Sequence, residues 1–231
     1  MHTLHWNHEI LPLETALSGF SEDERDMYEE IVEELFEDMK EHIHPAAAWT
    51  ELSVSIPSES EVLLNDTVFH SSYLASRLEG MTNVYGFAIT IGHEFWECRH
   101  MASDPLEQLL IDTIMKTALN TVFARTATEI VSNLPDKMIL KMDNPGALSG
   151  WDLSEQKAML SLFKGADDIL KEMTLNDQDV FENKFSMTGI IYVKGSSGPS
   201  CSVCPKESCS HRKADFNEME LVKTLYASTE A

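Results

Sequence analysis

Basic residues are scarce in this chain. Only 17 lysines and arginines stand against 39 aspartates and glutamates, which leaves a formal net charge of −22. A surface this acidic repels nucleic acid phosphates and anionic lipid headgroups, so neither is expected as a partner. Long apolar runs are lacking too. No stretch reaches the roughly eighteen residues that a membrane span needs. The first residues, Met1-His-Thr-Leu-His5-Trp6, lack the charged-then-apolar pattern of a secretory signal, so the expected compartment is the cytoplasm. Hydrolytic signatures are missing as well. There is no nucleophile elbow, no H-E-x-x-H and no phosphate loop.

Cysteine is rare but concentrated. Three of the four cysteines, Cys201, Cys204 and Cys209, fall within nine residues. A C-x2-C-x4-C spacing puts three thiolates within reach of one ion. Thiolates favour zinc or an iron–sulfur cluster over magnesium or calcium. In a reducing compartment such a cluster is more often a metal site than a disulfide framework. The fourth ligand is either Cys98, far upstream, or the local His211. The spacing leaves zinc and iron–sulfur both open, and also three plain thiols on a polar tail. Gly195-Ser-Ser-Gly198-Pro-Ser200 reads as a hinge into this cluster. The chain is therefore expected to divide into residues 1–195 and a Cys-rich tail over 196–231 with a last helix opened by Asp215 and Glu218. Residues 1–20 read as an extended arm, whose His2, His5 and His8 are expected to be exposed imidazoles.

Hydrophobic residues make up 43% of the chain, enough for a real core. Ser21 and Glu24 form a capping-box pattern that opens a helix. Met27, Ile31, Leu35 and Met39 follow every four residues, broadened by Tyr28, Val32 and Phe36, and a row of carboxylates takes the other face. Residues 52–56 alternate as a half-buried strand ended by Pro57, and 62–69 add a second. A short helix is expected over 71–78, stopped by Gly80. Residues 83–91 are rich in β-branched and aromatic side chains, hence a strand. Asp104, Pro105 and Glu107 have N-cap, N1 and N3 chemistry for a long helix to about Leu134. A strand over 137–142 leads into a turn-rich loop from Asp143 to Trp151. Asp152 and Glu155 cap a further helix. Residues 185–193 form a strand whose internal Gly189 marks a bulge or a close backbone approach. Helices and strands mix without regular βαβ alternation, so the fold class is α+β.

Four stretches carry a resemblance. They are Ala88-Ile-Thr-Ile-Gly92; the helix from Pro105 with Leu110-Ile-Asp112; Asn144-Pro145-Gly146 followed by Trp151-Asp-Leu-Ser-Glu155-Gln156; and Lys184-Phe-Ser186-Met-Thr-Gly189-Ile. In order and spacing they are similar to the activation domain of cobalamin-dependent methionine synthase, including its free-standing forms. The resemblance covers roughly residues 60–195. It implies a twisted antiparallel sheet with flanking helices, S-adenosylmethionine binding, and docking onto a corrinoid-binding protein or cobalamin-dependent methyltransferase. It also implies the family's activity, the reductive remethylation of cob(II)alamin held by that partner. The implied ligand residues are Lys141, Asn144, Pro145, Gly146, Ala147, Trp151, Ser186 and Gly189.

Three positions depart from the family pattern. Met142, with Lys141 beside it, stands where the family has an arginine. Ala147 stands for a tyrosine, and Asn120 for a glutamate on the long helix. From the residues alone, Gly146 is either a plain turn or a place where backbone meets a ligand. Trp151 is either a flat face for a nucleobase or sulfonium, or a core anchor for its loop. The departures keep a second function open: a metal-cluster electron-transfer or binding module on the same fold, without use of a methyl donor.

Overall fold

The computed structural model describes residues 1–132, 140–147 and 150–193. The cysteines 201, 204 and 209, His211, the hinge, the last helix, the far end of the long helix and the start of the strand expected over 137–142 lie outside the described residues.

The centre is a seven-stranded antiparallel sheet. Its strands are β1 (His2–His5), β2 (Ala46–Ser58), β3 (Glu61–Leu64), β4 (Thr67–His70), β5 (Asn83–Thr90), β6 (Leu140–Asp143) and β7 (Ser186–Val193). They run β4-β3-β2-β5-β7-β6 across the sheet, and β1 pairs with the first residues of β2. Both faces are covered. Helices α1 (Leu13–Leu17), α2 (Glu22–Met39) and α5 (Pro105–Val131) share one core with Ala47, Trp49, Phe87, Ile89 and Ile191. Ala46, Ala48, Leu52, Val84, Ile190 and Tyr192 face the other core. There the helices α3 (Ser72–Leu78), α6 (Gln156–Ser161) and α7 (Asp167–Leu170) pack. The short helix α4 (His93–Glu97) follows β5. Two-sided burial explains why Ala46-Ala-Ala-Trp49 shows no polar alternation: neither face of that half of β2 meets water.

The N-terminal arm is corrected by this sheet. Residues 1–20 are folded onto the body. His2 pairs with Trp49 and stacks on it at 4.0 Å. Ile10, Leu11, Ala16, Leu17 and Phe20 are buried. Their contribution is hydrophobic, about 1.5–3 kcal/mol for each large side chain fully buried. Polar spacers between these apolar residues hid that pattern.

Helix α2 starts as the sequence predicts. Ser21 Oγ accepts from Glu24 N at 3.4 Å, and the Glu24 carboxylate accepts from Ser21 N at 2.8 Å. Its buried stripe is different. Val32, Phe36 and Met39 are buried, while Met27 is 67% exposed. A strict four-residue repeat drifts about 40° per step around a helix, so a line drawn from Met27 to Met39 turns away from the core at its start. Helix α5 begins at its Asp104 cap, which accepts from Leu106 N at 2.7 Å, with Pro105 at N1. The segment over 62–69 is a hairpin rather than one strand, because Asn65 adopts φ 53° and turns the chain.

Candidate functional site

The end of β6 runs straight into the loop that the sequence singles out. Asp143 is the last strand residue, opposite Ile190. Asn144 follows, then a buried Pro145, then exposed Gly146 and Ala147. Gly146 has φ +76°, and its N–H donates to Trp151 O at 2.9 Å. Ala147 N donates to Asn144 O at 3.3 Å. A side chain at position 146 meets Leu153 Cδ1 at 2.7 Å. Only glycine accepts both that dihedral and that contact without strain.

Gly189 on β7 does related work. It pairs in register with Phe87, so no bulge is present. A Cβ there meets Asp143 O at 2.6 Å and Asn144 Cβ at 3.0 Å. The missing side chain lets the loop lie against the strand, which is the close-approach reading of that glycine. Ser186 sits at the start of β7, 8% exposed, and its hydroxyl bonds Thr90 Oγ1 at 3.0 Å. Asn183 Nδ2 also donates to Thr90 Oγ1, at 3.1 Å. The Ser186 side chain thus ties β7 to β5.

Two expected ligand residues point inward. Trp151 is 1% exposed and meets the Phe69 ring edge-on, with centroids 6.1 Å apart. Of its two readings, the core anchor is the one the packing fits, and the flat face for a ligand is corrected. The loop is short and must be fixed, and a large apolar side chain buried behind it does that. Lys141 is 4% exposed and sits opposite Tyr192, on the face of the sheet with Asp143. Met142 packs on the opposite core. Strand alternation therefore prevents Lys141 from presenting its charge where Met142 points.

Sequence reasoning missed the strongest electrostatic feature. Asp143 is fully buried, and Arg77 Nε lies 3.5 Å from its Oδ2. Tyr73 OH donates to Asp143 Oδ1 at 3.1 Å, and Tyr192 OH donates to Oδ2. Arg77 Nε donates to Tyr192 OH at 3.1 Å, and its guanidinium lies 5.6 Å from the Tyr73 ring centre. Burial pushes the Asp143 carboxyl above its ordinary range, against the opposing pull of Arg77 and the two phenols. Burial, then the Asp143 charge, raises both tyrosines well above theirs. The group spans α3, β6 and β7 and roots the loop from beneath. The available signal was a lone arginine among apolar residues on a short helix.

Cys98 is 2% exposed in the helical turn after α4 and donates to Glu94 O at 3.4 Å. Burial pushes its thiol up to about 11. A metal ligand must be a thiolate, so this environment opposes that role. The raised value favours the folded state below the ordinary 9.0, a contribution lost as pH climbs through about 11. In native protein at pH 8, iodoacetamide is expected to leave Cys98 unmodified, read by mass spectrometry of digests. Prompt labelling there contradicts the buried, protonated thiol. Among the described residues no three His, Cys, Asp or Glu side chains group to hold a metal, and no helix is long and apolar enough to cross a membrane.

No family model matches the sequence. No curated protein matches it either. Among solved structures it is similar to the crystal structure of the MetH reactivation domain bound to AdoHcy, with a TM-score of 0.64 and 11% identity, over 85% of this chain and 79% of that one. At that identity the likeness carries the fold: the seven-stranded antiparallel sheet and its flanking helices are those of the MetH reactivation domain.

Proposed function

We propose that this chain is a corrinoid-reactivation module. It binds S-adenosylmethionine on the 144–147 turn and docks on a protein that carries cobalamin. One observation supports this above the others: the fold is shared with a domain crystallised with AdoHcy. AdoHcy is what S-adenosylmethionine becomes after giving up its methyl group. The turn supplies the local geometry. It follows the last strand of the sheet, and its Gly146 and Ala147 backbone is exposed. With their N–H groups bonded inside the loop, Gly146 and Ala147 would offer carbonyl oxygens to the ligand and Asn144 its side chain, while Pro145 and Gly189 fix the turn's position. Arg77, Asp143 and Trp151 hold it from behind.

The reaction at that place is a methyl transfer. One electron takes cob(II)alamin to cob(I)alamin. The cob(I)alamin then displaces AdoHcy from the sulfonium carbon and becomes methylcobalamin. The protein contributes binding and orientation, while cofactor and donor carry the bond changes. Thiolate-bound metal on Cys201, Cys204 and Cys209, as zinc or an iron–sulfur cluster, would belong to the tail. An iron–sulfur cluster there would supply the low-potential electron.

Calorimetric titration with S-adenosylmethionine is expected to saturate, with Kd below about 1 mM, a binding free energy beyond about 4 kcal/mol. No heat at millimolar ligand defeats the methyl-donor reading. The second reading is an electron-transfer or binding module on this fold. The presence of Met142 and Ala147 where the family has an arginine and a tyrosine favours it. It expects binding to the corrinoid protein and no AdoHcy formed from cob(I)alamin.

A further inference from the structure

We infer that Ser71, at the head of α3, is a positioning residue for the ligand of the 144–147 turn. The inference rests on the reading of that turn as the S-adenosylmethionine site. Ser71 belongs to none of the four stretches that carry the family resemblance, and it lies 79 positions from its partner in the loop.

Helix α3 reaches the chain on both sides of the turn. On the near side, Tyr73 and Arg77 stand four residues apart, on one face of the helix, and both meet Asp143. Asp143 immediately precedes the turn. On the far side, Ser71 Oγ donates to Gly150 O. Gly150 precedes Trp151, whose carbonyl accepts the Gly146 N–H at 2.9 Å. One helix of seven residues therefore supplies an anchor before the turn and an anchor after it. The helix is itself a firm base, since Tyr73, Leu74 and Leu78 are fully buried. The same junction makes another tie. His70 N donates to Glu155 Oε1 at 2.9 Å, beyond Trp151.

Ser71 uses one hydroxyl for two purposes. Its oxygen accepts from Leu74 N at 2.9 Å and caps α3. Its proton goes to Gly150 O. The residue is 2% exposed, so water does not readily replace either bond. Serine and threonine offer a donor and an acceptor together, whereas alanine offers neither. Glycine is accepted at an N-cap but has no hydroxyl to donate. The two purposes are therefore separable. The cap stabilises the helix. The donated proton sets where Gly150, and with it the Trp151 carbonyl, stands relative to Asp143. Without that bond, Trp151 and Glu155 still hold the loop, but the acceptor of the Gly146 N–H is less firmly placed. A ligand must then order the turn as it binds, which lowers affinity more than it lowers fold stability.

The test compares wild type, Ser71→Gly and Ser71→Thr as full chains. The readouts are calorimetry with S-adenosylmethionine, amide hydrogen exchange and thermal melting. Ser71→Gly is expected to melt close to wild type and to bind S-adenosylmethionine about two- to tenfold more weakly. Its Gly146 amide is expected to exchange about two- to tenfold faster, with the amides of β5 unchanged. Ser71→Thr is expected to bring both readouts within about twofold of wild type. A residue that only caps its helix leaves affinity and Gly146 exchange at wild-type values in Ser71→Gly, and that result overturns the inference. So does a loss of affinity that comes with faster exchange throughout β5, the mark of a weakened fold. A Ser71→Thr variant as impaired as Ser71→Gly overturns it too. No binding by wild type defeats the reading of the turn and this inference with it. Binding by wild type and equal binding by Ser71→Gly defeat this inference alone.

Discussion

Replacing Asp143 with alanine is expected to destabilise the domain by about 3–5 kcal/mol, read as a lower urea midpoint. Among the described residues, the Asp143 carboxylate is the anion paired with Arg77, whose side chain is 5% exposed. Without it, the buried guanidinium loses that countercharge, and both phenols lose their acceptor. Most of the cost is that stranded charge rather than the worth of the ion pair itself. A double variant makes the distinction. Arg77→Met with Asp143→Leu removes both charges and keeps the volume apolar. It is expected to recover much of the loss, because a buried pair barely exceeds a well-packed apolar pair in net stability. Asp143→Ala within about 1 kcal/mol of wild type contradicts the burial and pairing described. The same variant loosens the turn that starts one residue later, so S-adenosylmethionine affinity should fall with it.

That group could not be read from the sequence. Arg77 and Asp143 are 66 positions apart, and nothing local to either marks the other. Charged residues in helices are usually solvated, and only the fold turns α3 toward β6. Local chemistry was legible where it acts locally. Ser21 with Glu24, and Asp104 with Pro105, set helix starts through side chains that reach their own backbone. The strand over 83–91 was legible because Val84, Tyr85, Phe87, Ile89, Thr90 and Ile91 favour a pleated surface. Strand β1 was not, since His2-Thr-Leu-His5 has little propensity of its own and gains its pairing from β2. The first half of β2 failed for the opposite reason, being buried on both faces. The turn was the mixed case. Its glycine was legible, and the dihedral at Gly146 supports why. The direction of its neighbours was not, because one residue of strand alternation separates Lys141 from Met142 and puts them in different cores.

Trp151 gives the second large effect and decides what the turn needs from its neighbour. Trp151→Ala is expected to cost about 3–5 kcal/mol, the range for emptying a large aromatic site in a core. Its ring is among the largest fully buried side chains and packs against Phe69, with Met159 and Phe163 in the same core. The backbone adds to this, since Trp151 O accepts from Gly146 N and closes the turn. A core anchor and a ligand-stacking face make different demands. If the residue is an anchor, Trp151→Phe keeps most of the apolar volume, holds the melting temperature near that of wild type, and leaves S-adenosylmethionine affinity within about twofold. If the ring stacks on the ligand, the same conservative change lowers affinity several-fold while the fold stays intact. The expected result is the first. The ring is 1% exposed and has no face to offer a stacked ligand, whereas Gly146 and Ala147 of the same loop are exposed.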